Sequence, residues 1–442
     1  MRTNSYWIDR FRELENLDVL REKATISGPV LIDLFKLPLE QASLQLQQAF
    51  RSVFYPTNQC LSILRRLIGV SAAHCATTYT DAKSFMSGVY AESPPLLEFS
   101  PPLYLTGLAG VGKTEILNTF QRLLSQSDEV VVDDKHPPFR ILPPWLVTVR
   151  SRSSARDVLG VLANQDGKPY ELIKRCRKLA YRDAVPFLVA DELQFVTGSD
   201  SANTRVSQML MSLAYIGIPF LFAANFSMLQ RLMRRPGEEQ QRLLAQPIIL
   251  HPDAPDSEDW TKTIEALVAV APANFAFDPQ KLAPDLHRYT FGRKRALSEL
   301  LSLAFRIEFQ NGSGVTSTSL TKAYKSSAYT VYRDETEFLF KQAIANRPSR
   351  GRPDLWCPIP DDGNIQLARI VQFSTAAQER AAADAEMRSA LTAAEIKAVA
   401  AIENPAKRKN RNSGSKVLSI HRTPARDAST LSKNMDSFLD DV

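Results

Sequence analysis

The chain has 442 residues, of which 44% are hydrophobic and 23% charged, a composition typical of a globular protein with two or three domains. Its formal net charge of +6 fits both a protein with a polyanionic partner and a mildly basic enzyme without one. The four cysteines have no paired spacing, which argues against a zinc site or a disulfide framework and favours a reducing compartment. The charged opening predicts no secretory signal, and no apolar run approaches the roughly 18 residues of a membrane span. We therefore expect a soluble, cytoplasmic protein with no membrane partner.

Residues 1–95 have helical periodicity, which predicts a helical N-terminal extension. Within it, residues 58–69 read as a short amphipathic helix with Arg65 and Arg66 on its outer face. Proline pairs at 94–95 and 101–102 mark the entrance to the next domain.

Residues 103–124 combine a short apolar strand, a glycine-rich loop and an amphipathic helix. The loop reads G-x-x-x-x-G-K-T from Gly107 to Thr114, which is the phosphate-binding pattern in the strand-to-helix context that it requires. Glycines let consecutive backbone N–H groups point at phosphate oxygens, and the helix adds the positive end of its dipole. Lys113 is expected to reach the terminal phosphates and the Thr114 hydroxyl to hold a magnesium ion. The predicted nucleotide-binding residues of this stretch are Gly107, Gly110, Val111, Gly112, Lys113, Thr114 and Glu115.

Residues 96–255 alternate short apolar runs with helical stretches, which predicts βαβ units and a five-stranded parallel sheet between helices. The predicted strands cover residues 103–105, 145–149, 186–190, 219–223 and 248–250. Residues 256–345 lose the strand pattern and read as successive helices, so we predict a helical lid. An α/β core with a phosphate loop, followed by a helical lid, is the outline of an AAA+ ATPase.

Polar side chains end two of the predicted strands. Asp191 follows the strand at 186–190 and is expected to hold magnesium through its hydration water, while Glu192 orients and deprotonates the attacking water. Asn225 ends the next strand, where it can hydrogen-bond the terminal phosphate as a sensor. The alternative for Asn225 is the N-cap of the following helix, and both roles are compatible.

Arginines cluster just before the last strand and at the start of a lid helix. In ring-forming ATPases, an arginine just before the last strand points at a neighbouring subunit's nucleotide and neutralises charge in the transition state. Arg242 is the first candidate for this role, followed by Arg234 and Arg235, with a solvated basic face as the alternative. Residues 290–295, TFGRKR, carry the G-x-x-R pattern of the second AAA+ sensor, in which Arg295 is favoured over Arg293.

Further basic residues lie after the second main strand and on the next helical segment. The predicted DNA-binding residues are Arg150, Arg152, Arg156 and Lys174. A spiral of such groups around the channel of a ring can follow a phosphate backbone. A solvated helix face is the alternative.

Residues 346–403 begin with a proline- and arginine-rich linker or arm and continue as an alanine- and glutamate-rich helical segment. Residues 404–442 form a basic tail, which we expect to be disordered because it has few large apolar residues. The C-terminal region is therefore predicted to be largely flexible.

Several motifs together resemble the TnsC family, the AAA+ regulators of Tn-seven-like transposons, and its relatives TniB and MuB. They are the loop GLAGVGKT, the strand ends VADE and FAAN, the segment RLMRRPGEEQQRLLAQPIIL and the lid motif GRKR. The resemblance spans residues 50–345, and the proline-containing segment separates it from AAA+ proteins in general. It implies an ATPase that uses ATP and magnesium as an assembly switch. Copies would form a ring or helical filament on double-stranded target DNA in a bacterial cytoplasm, and would bridge a target-selector protein to transposase subunits.

In this resemblance the catalytic roles fall to Glu192, Asn225 and Arg242, and the lid sensor is Arg295. Two alternatives stay open. One is another AAA+ DNA protein, such as a helicase loader or an origin-binding factor. The other is a signalling or defence ATPase that binds only proteins and shows no salt-sensitive binding to DNA.

Overall fold

The computed structural model describes residues 5–125, 128–149, 153–191, 200–348 and 351–359. The helices before the sheet are α1 (Ser5–Arg12), α2 (Leu17–Ala24), α3 (Leu39–Ser52), α4 (Asn58–Thr78) and α5 (Ala82–Tyr90). The helices of the α/β region are α6 (Lys113–Leu123), α7 (Ala155–Ala163), α8 (Pro169–Arg182), α9 (Asp200–Ala214), α10 (Phe226–Leu232) and α11 (Gly237–Leu243). After the sheet come α12 (Glu258–Val268), α13 (Pro279–Thr290), α14 (Lys294–Phe309), α15 (Ser317–Lys325) and α16 (Thr330–Ala345).

The five-stranded parallel sheet predicted from the sequence is confirmed. Its strands are β1 (Leu103–Gly107), β4 (Trp145–Thr148), β5 (Leu188–Asp191), β6 (Phe220–Asn225) and β7 (Gln246–Leu250). They lie in the order β4-β5-β6-β1-β7, and every neighbouring pair is parallel. The observed strands start or end within two residues of the predicted ones, and β1 and β6 run on to Gly107 and Asn225, where the polar chemistry begins.

Alternate residues of the central strands enter two separate hydrophobic cores, as expected for a sheet covered on both faces. Leu103 and Leu105 of β1 pack in the first core, with residues of α1, α4 and α6. Tyr104 packs in the second, with residues of α7, α8 and α9. The sheet is therefore a middle layer between helices, and all of its strands point their carboxyl ends to one edge.

Helix α4 is longer than the predicted helix at 58–69. It begins after its N-cap Thr57, whose hydroxyl accepts a hydrogen bond from the Cys60 N–H, and continues through Gly69. A glycine inside a helix costs roughly 1 kcal/mol relative to alanine. Leu67, Ile68 and Cys75 are buried on either side of Gly69, and their packing offsets that cost.

A third core joins α3 to the helices that follow the sheet. Leu46 and Phe50 of α3 pack with Leu297 and Phe305 of α14, and Arg306 of α14 forms a bidentate ion pair with Glu40 at 2.6 and 2.8 Å. Helix α3 thus packs with helices of the predicted lid, although it lies within the predicted N-terminal extension. The domain boundaries drawn from the sequence remain a prediction.

Two short features escape the sequence patterns. The strands β2 (Asp128–Val130) and β3 (Phe139–Ile141) form an antiparallel pair between α6 and β4. The proline- and arginine-rich stretch after α16 is described up to residue 359 and contacts α10. There the Gln230 side chain donates a hydrogen bond to the Trp356 carbonyl at 3.5 Å. The predicted helical segment and basic tail beyond it lie outside the described residues. None of the helices in the described part of the chain has both the length and the apolar character needed to cross a membrane.

His287 makes the stability of the lid dependent on pH. Its side chain is 1% exposed, and its Nε2–H donates to the Asp253 carbonyl at 3.0 Å. Burial lowers the pKa of His287 from 6.5 to about 4. Since the folded pKa is the lower one, the unfolded chain binds a proton first as the pH falls below 6.5, and stability decreases towards pH 4.

We expect this histidine to reduce the free energy of unfolding by roughly 2 kcal/mol between about pH 7.5 and 5. Urea unfolding at both pH values measures the effect, and the His287→Asn variant should lose that part of the pH dependence. The control variant Lys281→Met, at a lysine whose side chain is 83% exposed, should keep the pH dependence of the wild type. An unchanged pH dependence in His287→Asn would contradict the assignment.

Candidate nucleotide-binding site

The glycine-rich loop is fixed at both ends by regular structure. Gly107, the last residue of β1, lies between Asn225 of β6 and Leu250 of β7 in the sheet register. A Cβ at Gly107 would be 2.4 Å from the Leu250 carbonyl oxygen, so no larger residue fits. Gly110 and Gly112 have φ values of 82° and 111°, a region that L-residues rarely adopt. The loop then enters α6 at Lys113, as predicted.

Lys113 is turned into the start of this loop. Its side chain is buried, and Nζ donates to the carbonyl oxygens of Gly107 at 2.9 Å and Leu108 at 2.8 Å. An ammonium held here adds positive charge to a loop that leads into the positive end of the α6 dipole. The arrangement fits a bound phosphate chain.

The two residues predicted to hold magnesium, Asp191 and Thr114, lie at the same edge of the sheet as the loop. Asp191 is the last residue of β5 and is 5% exposed, and Thr114 lies in the first turn of α6. Burial raises the pKa of Glu115, a hydrogen bond with Asn118 lowers it, and the nearby Asp191 carboxylate raises it. Carboxylate and hydroxyl oxygens suit magnesium, so Thr114 and Asp191 are the residues that would hold it, and the ion would neutralise phosphate charge. Glu192 lies outside the described residues.

Asn225 stands directly beside Gly107 in the sheet register. Its backbone occupies the N-cap position of α10, with φ −79° and ψ 164°, but its side chain makes no capping hydrogen bond with the described residues. The alternative suggested by the sequence therefore holds for the backbone only. The Asn225 backbone therefore lies beside the start of the phosphate loop, and the sensor role of its side chain remains a prediction.

The first turn of α14 sits on the same loop. The Arg295 N–H donates to the Gly110 carbonyl at 3.1 Å, and a Cβ at Gly110 would lie 2.8 Å from Arg295 Cβ. The Arg295 side chain is exposed. Arg293 is buried instead, with an ion pair to Glu335 at 2.6 Å and a hydrogen bond to Thr336 at 2.9 Å. The geometry supports Arg295 as the sensor, and this role remains a prediction.

The three candidates for an arginine that acts on a neighbour differ in their contacts. Arg235 is held by Glu239 through two bonds of 2.9 Å. Arg234 and Arg242 are exposed, and the Arg242 guanidinium lies 5.8 Å from the centre of the Phe99 ring. Arg242 comes just before β7, whose first residue pairs with the first residue of β1, so it lies at the edge opposite to the phosphate loop of its own chain.

The predicted DNA-binding residues are only partly described. Arg156 is exposed in the first turn of α7, and Lys174 on α8 is exposed with an ion pair to Glu92 at 2.8 Å. Arg150 and Arg152 lie outside the described residues. Arg177, which shares α8 with Lys174, donates instead to main-chain carbonyls of Leu96, Leu97, Tyr215 and Ile216 and therefore ties α8 to the core.

Sequence reasoning missed Lys294, which follows Arg293 in the lid motif. A Cβ at Gly112 would lie 3.6 Å from Lys294 Cδ, so this side chain packs on the end of the phosphate loop. The only signal in the sequence is its place in the GRKR motif, which directs attention to the two arginines.

The comparison with known protein families agrees with this geometry. Residues 100–233 match the AAA domain, a stretch that contains the phosphate loop, Asp191 and Asn225. This protein is an ATPase with an AAA domain. No curated protein matches its sequence.

Several solved structures are similar to this ATPase. Cdc6p from Pyrobaculum aerophilum is 13% identical with a TM-score of 0.40, covering 75% of this chain and 89% of that one. The ORC2 protein of Aeropyrum pernix, solved as ADPNP–ADP complexes, is 14% identical with a TM-score of 0.38, covering 63% and 73%. The Aeropyrum pernix ORC1 protein in complex with DNA is 16% identical with a TM-score of 0.36, covering 72% and 82%.

The glycines of the loop provide a test with an internal control. Gly110→Ala places a Cβ on a residue with φ 82° and against Arg295, so we expect ATP affinity to fall by roughly tenfold or more. Gly69→Ala adds a Cβ in open space on α4 and should leave ATP affinity unchanged while stabilising the protein by roughly 1 kcal/mol. Calorimetric titration with ATP and thermal unfolding measure both. Equal ATP affinity in the two variants would contradict the assignment of the loop.

Proposed function

We propose that this ATPase is a nucleotide-switched assembly platform in DNA transposition. Copies of the chain form a ring or helical filament on double-stranded target DNA and bridge a target-selector protein to transposase subunits. The resemblance of the motifs to the TnsC family supports the transposition role. The position of Arg242 is the observation that carries the oligomeric part.

Arg242 is exposed at the edge opposite to its own phosphate loop, where it cannot serve the nucleotide of its own chain. A guanidinium acts on a phosphate only by direct contact. In a head-to-tail assembly this edge of one copy meets the loop edge of the next. Arg242 then neutralises charge on the neighbour's nucleotide, so that hydrolysis depends on assembly.

The other site residues act on the nucleotide bound to their own chain. The loop backbone and Lys113 bind the phosphates, and Asn225 hydrogen-bonds the terminal phosphate and the attacking water. Glu192 accepts the proton of that water. Arg295 contacts the phosphates from the lid, so that the lid responds to the nucleotide that is bound.

The basic residues of α7 and α8 support binding to duplex DNA. Arg156 lies at the amino end of α7, where the helix dipole disfavours a cation, and contact with a DNA phosphate would offset that cost. Lys174 is paired with Glu92 in an exposed ion pair, which water and salt weaken, so the lysine can exchange Glu92 for a DNA phosphate. Arg150 and Arg152 extend the same basic segment in sequence. We place the protein in the bacterial cytoplasm, bound to DNA.

Electron microscopy of the full chain with duplex DNA tests the assembly. We expect rings or filaments on DNA with ATP or a non-hydrolysable analogue, and their loss with ADP. Glu192→Gln should keep ATP binding, lower hydrolysis by roughly 100-fold or more and remain assembled with ATP. Glu22→Gln, an exposed acidic residue of α2, serves as the matched control and should disassemble as the wild type does.

Three results would contradict parts of this proposal. Equal DNA affinity with ATP and ADP removes the switch. The absence of salt-sensitive DNA binding favours the ATPase that binds only proteins. For the transposition role, insertion frequency of the element that encodes the chain is measured in cells with the wild type or the Lys113→Ala variant, and an unchanged frequency would exclude it.

A further inference from the structure

Lys294 is a second lysine at the phosphate loop, and it lies at the end opposite to the Lys113 ammonium. The Lys113 ammonium contacts the carbonyls of Gly107 and Leu108, at the start of the loop. A Cβ at Gly112, the last residue of the loop, would lie 3.6 Å from Lys294 Cδ and 4.0 Å from its Nζ. The hydrogen bond from the Arg295 N–H to the Gly110 carbonyl holds the backbone next to Lys294 in place. The two ammonium groups therefore lie at the two ends of the loop.

The ammonium of Lys294 has a loose partner within the protein. Nζ lies 3.8 Å from Asp253 Oδ2 and 4.0 Å from Cys60 Sγ, and a normal hydrogen bond between charged groups is roughly 1 Å shorter than the first of these distances. The Lys294 side chain is 20% exposed and that of Asp253 is 6% exposed. Asp253 Oδ2 is buried and accepts no hydrogen bond from the described residues. Two opposite charges are thus largely withdrawn from water without a closed contact.

Withdrawing the Lys294 and Asp253 charges from water without a close contact is unfavourable unless another group binds the ammonium. A buried charge is stabilised only by close pairing and hydrogen bonds, and the Lys294–Asp253 contact gives neither in full. A phosphate oxygen beside Gly112 would accept a short charge-assisted hydrogen bond from the same ammonium. The neighbouring Arg293 cannot bind this phosphate, because its guanidinium already binds Glu335 and Thr336.

We propose that Lys294 is a phosphate-binding residue of the lid, which Asp253 holds beside the loop and which turns to the nucleotide when it binds. The inference rests on the proposed ATP site and adds a residue to it. Backbone N–H groups of such a loop bind the α- and β-phosphates, so Lys294 contacts phosphates that ATP and ADP share. Asp253 is a positioning residue that competes with the nucleotide for the ammonium.

Calorimetric titration of the full chain with ATP, ADP and adenosine tests the assignment. Lys294→Met should weaken ATP and ADP binding by about tenfold or more and leave adenosine binding within about twofold, because only phosphate contacts are lost. Asp253→Asn should strengthen ATP binding by about threefold, because the competing carboxylate is gone. Lys281→Met, an exposed lid lysine with 83% of its side chain in solvent, is the matched control and should bind all three as the wild type does.

A double variant keeps the test valid if the unpaired Asp253 destabilises Lys294→Met. Asp253→Asn with Lys294→Met removes both charges, and we expect the same loss of ATP and ADP affinity in a protein whose thermal unfolding is close to that of the wild type. Nucleotide affinity within about twofold of the wild type in both Lys294 variants would overturn the proposal. An equal loss of adenosine binding would overturn it as well, because the contact would then lie at the base.

Lys113→Ala separates this inference from the proposed function. If Lys113→Ala loses ATP binding while the Lys294 variants keep it, only the role of Lys294 fails. If Lys113→Ala binds ATP as the wild type does, the loop is not the nucleotide site and the proposed function fails with it.

Discussion

The close approach of β7 to the end of β1 is the constraint on which the site depends. At Gly107 the Leu250 carbonyl leaves no room for a side chain, so the chain turns out of the sheet as bare backbone. Two further glycines with positive φ carry it to α6, and the turn leaves backbone N–H groups free of side-chain cover. Because β6 and β5 are parallel to β1, Asn225 and Asp191 reach the same edge. The chemistry of the site follows from this shared direction of the strands.

The lid is joined to that loop by backbone and not only by side chains. The Arg295 N–H bonds the loop, and the neighbouring Arg293 is buried against Glu335 of α16. Glu335 also pairs with Arg352 at 3.2 Å, on the segment that returns to α10. Helix α10 begins next to Asn225. A series of contacts therefore connects the loop, the helices after the sheet and the segment that follows α16.

The sequence predicted those parts that depend on short-range pattern. Buried parallel strands form apolar runs in a sequence, and the loop requires glycine at fixed spacing. The strands, the loop and the polar residues that follow them, from Lys113 to Asn225, could therefore be located from the sequence. Parts that depend on distant contacts could not. The continuation of α4 through Gly69 and the packing of α3 against α14 both follow from cores that form only in the folded chain. The short pair β2–β3 lies among prolines and acidic residues that hide a strand signal.

The roles of the basic residues in the site also could not be separated from the sequence alone. Arg234, Arg235 and Arg242 look alike in the sequence, and only their contacts separate an arginine held by Glu239 from two exposed ones. Likewise Arg293, Lys294 and Arg295 are consecutive, yet one is buried in the lid, one lies over Gly112 and one is exposed beside Gly110. Arg293 is the extended residue before α14, and the helix then turns by about 100° from Lys294 to Arg295, so the three neighbours face different surroundings.

The central claim is that a triphosphate held by the loop from Gly107 to Thr114 decides whether copies of this chain assemble. Sedimentation velocity of the full chain during titration with ATP tests it most directly. We expect ATP to increase the sedimentation coefficient of the wild type and of Lys281→Ala, and Lys113→Ala to stay at the value seen without nucleotide. Assembly of Lys113→Ala at the same ATP concentration as the wild type, or assembly that ignores ATP altogether, would contradict it.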